Sequence, residues 1–257
     1  MDTAGIGQLL RETAARVITP RFRQLADSEV LEKLPGDLVT VADREAEEYL
    51  AWLLGQHFPD ALIVGEEGVF LGQTSLDELA TAPHAFVIDP IDGTRNFVTG
   101  KAEHGVMLAE VRDGVTTRGW IWQPQYERMY TVTRGEGRVL CNGEEVVGRA
   151  RHRLVQGAAG SRRLVGFDAD GRLAPIVRSS GAACFDYPML VHGDIDFMVF
   201  TNAHPWDHLT GALMLHETGG RARMFSGEDY TAATHGKGLL VARTEEVWQL
   251  AAPLVQR

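Results

Sequence analysis

The residues 85–94, Ala-Phe-Val-Ile-Asp-Pro-Ile-Asp-Gly-Thr, end an apolar run in two carboxylates, Asp89 and Asp92. Carboxylates are costly to bury unpaired, so this pair needs a partner. Other acids stand at comparable places. Glu66 and Glu67 close the apolar run 61–64, Asp207 opens an apolar helical pattern, and Asp43 stands near the start of another. Each has an ordinary explanation. Asp43 and Asp207 suit helix N-caps, Asp92-Gly93 suits a turn, and Glu66-Glu67 suits a solvated turn. Their coincidence at strand and helix ends, where α/β proteins keep site residues, points to a shared cation.

An oxygen-only donor set favours a hard cation, Mg²⁺ before Zn²⁺. Gly93 permits close backbone approach, amides at a following helix start suit a phosphate, and the Thr94 hydroxyl suits a water. Acids for metal beside amides for phosphate suggest metal-assisted phosphoryl transfer to water. Two other chemistries find no support. The serines have no G-x-S-x-G setting, and His204 and His208, though spaced like a zinc pair, have Pro205 between them and no H-E-x-x-H.

The elements that must position these groups are legible in outline. Helical periodicity spans roughly 3–26 and 41–57, and residues 61–67 read as a short strand ending in acids. Residues 104–146 form a β-rich series with turn chemistry at "RDG", "PQYE", "GEG" and "NGEE", which predicts antiparallel hairpins. Beyond residue 150 strands and helices alternate: "LVQGAAG", a helix near 182–193, "DIDFMVF", a helix over about 206–218, "KGLLVAR" and a C-terminal helix. The expected organisation is an α+β half, 1–150, carrying most metal ligands, and an α/β half, 151–257, carrying Asp207. The boundary is placed in "GRARHR", with the halves packed closely.

The 257 residues suffice for such a pair. A formal net charge of −10 disfavours nucleic acid and anionic membranes as partners. No apolar run reaches the ~18 residues of a membrane span. The first 25 residues lack the basic start and apolar core of a signal peptide. Cys141 and Cys184 match no metal spacing and are expected to be free thiols. A cytoplasmic protein is expected.

"DPIDGTRNFVTG", preceded by "VGEEG" and followed by "PWDHLTGALMLHETGG", resembles the inositol monophosphatase family, within the Mg²⁺-dependent, Li⁺-sensitive phosphatases that include fructose-1,6-bisphosphatases. "DLVTVADREAE", "MYTVTRGEGRVLCNGEEV" and "RSSGAAC" extend the likeness over most of the chain. The resemblance implies a layered αβαβα sandwich, commonly homodimeric. It implies two or three Mg²⁺: a first held by Glu66, Asp89 and the Ile91 carbonyl, a second by Asp89, Asp92 and Asp207, and a weaker third near Glu66. Thr94 with Glu66 would activate the attacking water, and Asp43 would support the Thr94 hydroxyl. Gly93 and Thr94 amides would bind phosphate, and Gly181 and Ala183 belong to the segment lining the substrate site.

Three positions depart from the family pattern. The inositol-specific members carry a Glu seven residues before the Asp of "WD"; here that position is Phe200, which accepts no hydrogen bond from a polyol and also suits a strand core. A lysine that many members carry before "DLVT" has no equivalent at the matching offset, Lys33 standing one residue closer. Arg95 replaces a frequent Thr and suits either a substrate anion or the surface. Inositol monophosphate is the default substrate; histidinol phosphate, a sugar phosphate and adenosine 3′,5′-bisphosphate are the alternatives. A non-catalytic regulatory protein on this scaffold would show by a lost metal ligand or a lost Thr94, and none is lost.

Overall fold

The fold is given by a computed structural model describing residues 1–34, 37–150 and 153–256. Asp2 starts the first helix by accepting from the Gly5 amide at 2.8 Å. α1 (Thr3–Thr13) follows and buries Ile6, Leu9 and Leu10. The helical pattern runs on in the sequence, but the α-helix does not. Ala14–Ile18 widens into a π turn and Thr19–Arg21 tightens to a 3₁₀ turn at Pro20, whose ring cannot extend the ladder.

An antiparallel ribbon comes next, β1 (Val30–Leu34) against β2 (Asp37–Thr40). It leads straight into α2 (Val41–His57), whose start is a capping box: Thr40 is the N-cap and Asp43 the reciprocating third residue. Asp43 is therefore inside the first turn rather than at the cap.

The first sheet follows chain order through β3 (Leu62–Gly65), β4 (His84–Asp92), β5 (Gly105–Arg112), β6 (Val115–Gln123), β7 (Arg128–Thr133), β8 (Val139–Cys141) and β9 (Glu144–Glu145). Only β3 and β4 are parallel; the other pairings are antiparallel. Three short helices lie between these strands: α3 (Glu66–Phe70), α4 (Leu76–Thr81) and α5 (Thr94–Val98). Glu66 and Glu67 thus open a helix instead of ending a strand. α4, β1 and the strands at 174–178 and 221–224 carry patterns too short to stand out in the sequence.

The second sheet is mixed, ordered β11-β10-β12-β14-β13. It contains β10 (Gln156–Ala159), β11 (Ala174–Arg178), β12 (Phe197–Asn202), β13 (Arg221–Met224) and β14 (Lys237–Ala242). Its helices are α6 (Ala183–His192), α7 (Pro205–Glu217) and α8 (Glu245–Val255). The proposed boundary at 148–153 includes Arg151 and His152, which lie outside the described residues.

Strand alternation sorts the core into layers. Phe86, Ile88, Val106 and Leu108 pack under α1 and α2 through Leu10, Leu50 and Leu54. From the opposite face of that sheet, Val87, Met107 and Ala109 meet Leu190, Leu209 and Leu213 of α6 and α7. Met198, Leu239 and Val241 of the second sheet close the same cluster. Phe197, Val199 and Leu240 pack outward on Ala251 and Leu254 of α8. The layer order is α, β, α, β, α. Cys141 and Cys184 are both free thiols. Among the described residues no helix is long and apolar enough to cross a membrane.

Candidate active site

β4 runs straight to Asp92, but its pairing with β5 shifts between Asp89↔Met107 and Asp92↔Gly105, one extra residue being absorbed at Pro90-Ile91. In a regular strand, residues three apart point to opposite faces; a bulge re-aims them. Pro90 has no N–H to give the ladder and suits that place. Asp207 approaches from α7, where His204 is the N-cap and Asp207 the third helical residue. The carboxylates of Asp89, Asp92 and Asp207 then offer oxygen atoms all within 4.8 Å of one another.

This cluster is under-paired. Asp89 is buried and its Oδ1 has no hydrogen-bond partner. Burial first, then the charges of Glu66, Asp92 and Asp207, pushes its carboxyl well above the usual range. Asp207 is raised likewise, by burial and then by Asp92 and Glu66. Asp92 is pushed up to about 6 by burial, against the hydrogen bonds it receives from the start of α6. One of those is Cys184 N–H to Asp92 Oδ2 at 2.6 Å. An orphaned buried oxygen among three converging carboxylates fits a hard divalent cation.

Glu66 faces the same cleft but lies outside this group of three. Its Oε1 accepts from Lys33 Nζ at 2.7 Å, and Lys33 also pairs with Glu67. Burial pulls the Lys33 ammonium down, but the two glutamates outweigh it and hold it above its ordinary value. Lys33 therefore reaches the cleft from β1 despite its offset from the family lysine.

Thr94 is the first residue of α5. Its hydroxyl lies 3.1 Å from Asp43 Oδ1 and 3.0 Å from the Ile91 carbonyl. Asp43 is held from its other side by the Thr40 amide at 2.8 Å and hydroxyl at 2.5 Å. Burial pushes Asp43 up to about 7, those bonds opposing. Gly93 turns the chain at φ 82°, where a Cβ would lie 2.9 Å from both Ala182 Cβ and the Glu103 carbonyl. Only glycine fits there.

A cleft of about 650 Å³ brings Glu66, Asp89, Ile91, Asp92, Gly93, Thr94, Arg95, Gly181 and Asp207 together. Arg95 is exposed at its edge. Ala183 and Phe200 instead line a smaller adjoining cavity of about 210 Å³, which Asp92, Gly181 and Asp207 also border. Phe200 stacks on Tyr187 at 5.4 Å and lies 4.6 Å from the His208 ring, so it is both packing and cavity wall. His208 is not a metal ligand: Tyr187 Oη at 3.0 Å and the Asn202 carbonyl at 2.9 Å occupy its two nitrogens. Burial pushes its pKa down to about 3.

Sequence reasoning missed Glu47, Trp206 and the reach of Lys33. Glu47 follows Asp43 by four residues on α2, a spacing that places both on one helical face. His204 and Trp206 stack at 4.9 Å on the cleft wall.

A layered αβαβα sandwich with acids converging between its sheets defines a class, and comparison with known proteins gives the family. The profile described as "Inositol monophosphatase family" matches residues 3–257, and the chain belongs to that family. It is 29% identical over 201 residues to the fructose-1,6-bisphosphatase/inositol-1-monophosphatase of Thermotoga maritima, covering 76% of this chain and 75% of that protein. It is also 29% identical over 234 residues to the chloroplastic bifunctional phosphatase IMPL2 of Arabidopsis thaliana, covering 88% of this chain but 65% of that longer protein. The solved structure of Thermotoga maritima IMPase TM1415 superposes with a TM-score of 0.80 at 26% identity, over 100% of this chain and 99% of that one.

Proposed function

We propose that the protein is a Mg²⁺-dependent phosphomonoesterase acting on a small phosphorylated substrate. The observation that carries this reading is the under-paired trio Asp89, Asp92 and Asp207 in the same cleft as Thr94. Asp89, Asp92 and Asp207 would hold one Mg²⁺, and Glu66 with Asp89 and the Ile91 carbonyl another. Bound there, Mg²⁺ supplies positive charge toward phosphate oxygens and acidifies water.

The chain's own groups supply the rest. The Thr94 hydroxyl oxygen would take a proton from the attacking water as it gives its own to Asp43 Oδ1, and the P–O bond to the leaving group breaks with that oxygen protonated from solvent water. Thr40 keeps Asp43 aimed, so the proton relay has a fixed direction. The amides of Gly93 and Thr94 cradle the phosphate. Arg95 at the rim and Phe200 in the adjoining cavity face the leaving group.

Inositol monophosphate is the first substrate to test, because the relatives' names include that activity. Phe200 supports a less hydroxylated leaving group, such as histidinol, as the alternative; sugar phosphates and adenosine 3′,5′-bisphosphate complete the panel. Homodimerisation and a cytoplasmic location belong to this reading. Phosphate release should vanish with EDTA and return with Mg²⁺; release that ignores EDTA would sink the proposal.

A further inference from the structure

We propose that Glu47, on the buried face of α2, is the positioning residue that aims Glu66 at its cation. The inference rests on the reading of Glu66 as a ligand given above. α3 is five residues long and has no side-chain N-cap of its own. A helix that short cannot hold its first turn by its own hydrogen bonds, and its leading N–H groups are orphans.

Glu47 takes two of them. Its Oε2 accepts from the Glu67 amide at 2.8 Å and its Oε1 from the Gly68 amide at 2.7 Å. On the other side of Glu66, Gly65 is fixed in the β3–β4 ladder opposite Ile88, the residue before Asp89. Glu66 is thus the one residue between two anchored stretches, beside Asp89. A Cβ on Gly65 would lie 2.1 Å from Glu47 Cδ, so glycine there admits the carboxylate. Lys33 grips the side chains of Glu66 and Glu67; Glu47 grips the backbone beneath them.

The mutation Glu47→Gln keeps the shape but turns one acceptor into a donor facing an N–H. Glu47→Asp keeps the charge and withdraws it by one methylene. Calorimetric titration of the metal-free proteins with Mg²⁺ should show affinity about tenfold or more weaker in Glu47→Gln, the usual effect of losing a group that orients a metal ligand. Glu47→Asp should fall between it and the unsubstituted protein. The Mg²⁺ concentration for half-maximal phosphate release should rise in parallel, with kcat at saturating Mg²⁺ within about threefold of the unsubstituted protein.

Unchanged Mg²⁺ affinity in either folded variant would overturn the proposal. So would an activity loss of the same factor at every Mg²⁺ concentration, which is what a merely structural role produces. If Glu47→Gln fails to fold, the Glu47→Asp titration decides. If the unsubstituted protein releases no phosphate from any monoester, the phosphatase reading falls, and the calorimetric comparison still decides the role of Glu47.

Discussion

Asp43 and Asp89 are equally buried, each 2% exposed, yet they live in opposite circumstances. Asp43 accepts from the Thr40 amide, the Thr40 hydroxyl and the Thr94 hydroxyl. Asp89 has one oxygen with no partner and three acidic neighbours. The first is a finished piece of protein structure that also touches the site. In the proposed reading the second is completed by a bound cation. Burial alone therefore says little about a carboxylate's role; the count of its donors says much more.

Substitution at each position should separate the two. Asp89→Asn should lower kcat/KM for phosphate release by about a thousandfold or more, since metal charge contributes several kcal/mol to such reactions. The same change should raise the melting midpoint of the metal-free protein at neutral pH, because it removes a carboxyl that folding must either protonate or bury charged among other acids. Asp43→Ala should do the reverse to stability, lowering it by about 1–3 kcal/mol with or without Mg²⁺, through the donors it strands. Equal thermal behaviour of the two variants would erase the contrast. Next in size, Thr94→Ala should reduce kcat about a hundredfold while leaving Mg²⁺ affinity unchanged, as expected for a lost proton-handling group.

The contrast also has a pH signature. Asp43 and Asp92 titrate near 7 and 6 in the fold, above the 3.8 of an unperturbed carboxyl. From about pH 4 to 7 the folded protein therefore binds more protons than the unfolded chain, and stability falls as pH rises. His84, His104, His192 and His208 work oppositely, burial holding each below the ordinary 6.5, but the raised carboxyls Asp43, Glu47, Glu67, Asp89, Asp92, Asp186 and Asp207 outnumber them. The metal-free melting midpoint should be higher at pH 5.5 than at pH 8. The upward shift on adding Mg²⁺ should be larger at pH 8, where the ligands are ionised. A Mg²⁺ shift independent of pH would contradict the carboxylate assignment. The smallest effect belongs to the adjoining cavity. Phe200→Glu should raise the kcat/KM ratio of inositol 1-phosphate over an aryl phosphate about tenfold.

Where sequence patterns are long and periodic they translate directly: α2 occupies the 41–57 expected for it. The αβαβα layering was legible through the family likeness. α1 stops early because Pro20 and a π turn interrupt a periodicity that is otherwise continuous. α3 was unreadable because its first turn is held by Glu47, 20 and 21 residues upstream of the amides it accepts from, and not by anything local. The acids were conspicuous at the ends of apolar runs. That Asp89 and Asp92 share a side came from the family likeness and not from strand periodicity, because it depends on a bulge. Lys33 was placed by the pairing of β1 with β2, which its neighbours alone do not announce.

Asp92 also carries a mechanical meaning. By accepting from Cys184 N–H, its carboxylate clips the end of a strand in the first sheet to the opening turn of α6, which leads toward the second. A ligand that draws Asp92 toward it must pull on that clip, so cation occupancy and the seam between the two sheets are strung on one thread. The Cys184 amide is its gauge: its hydrogen-exchange rate should register filling and emptying of the cleft from the far side of the wall.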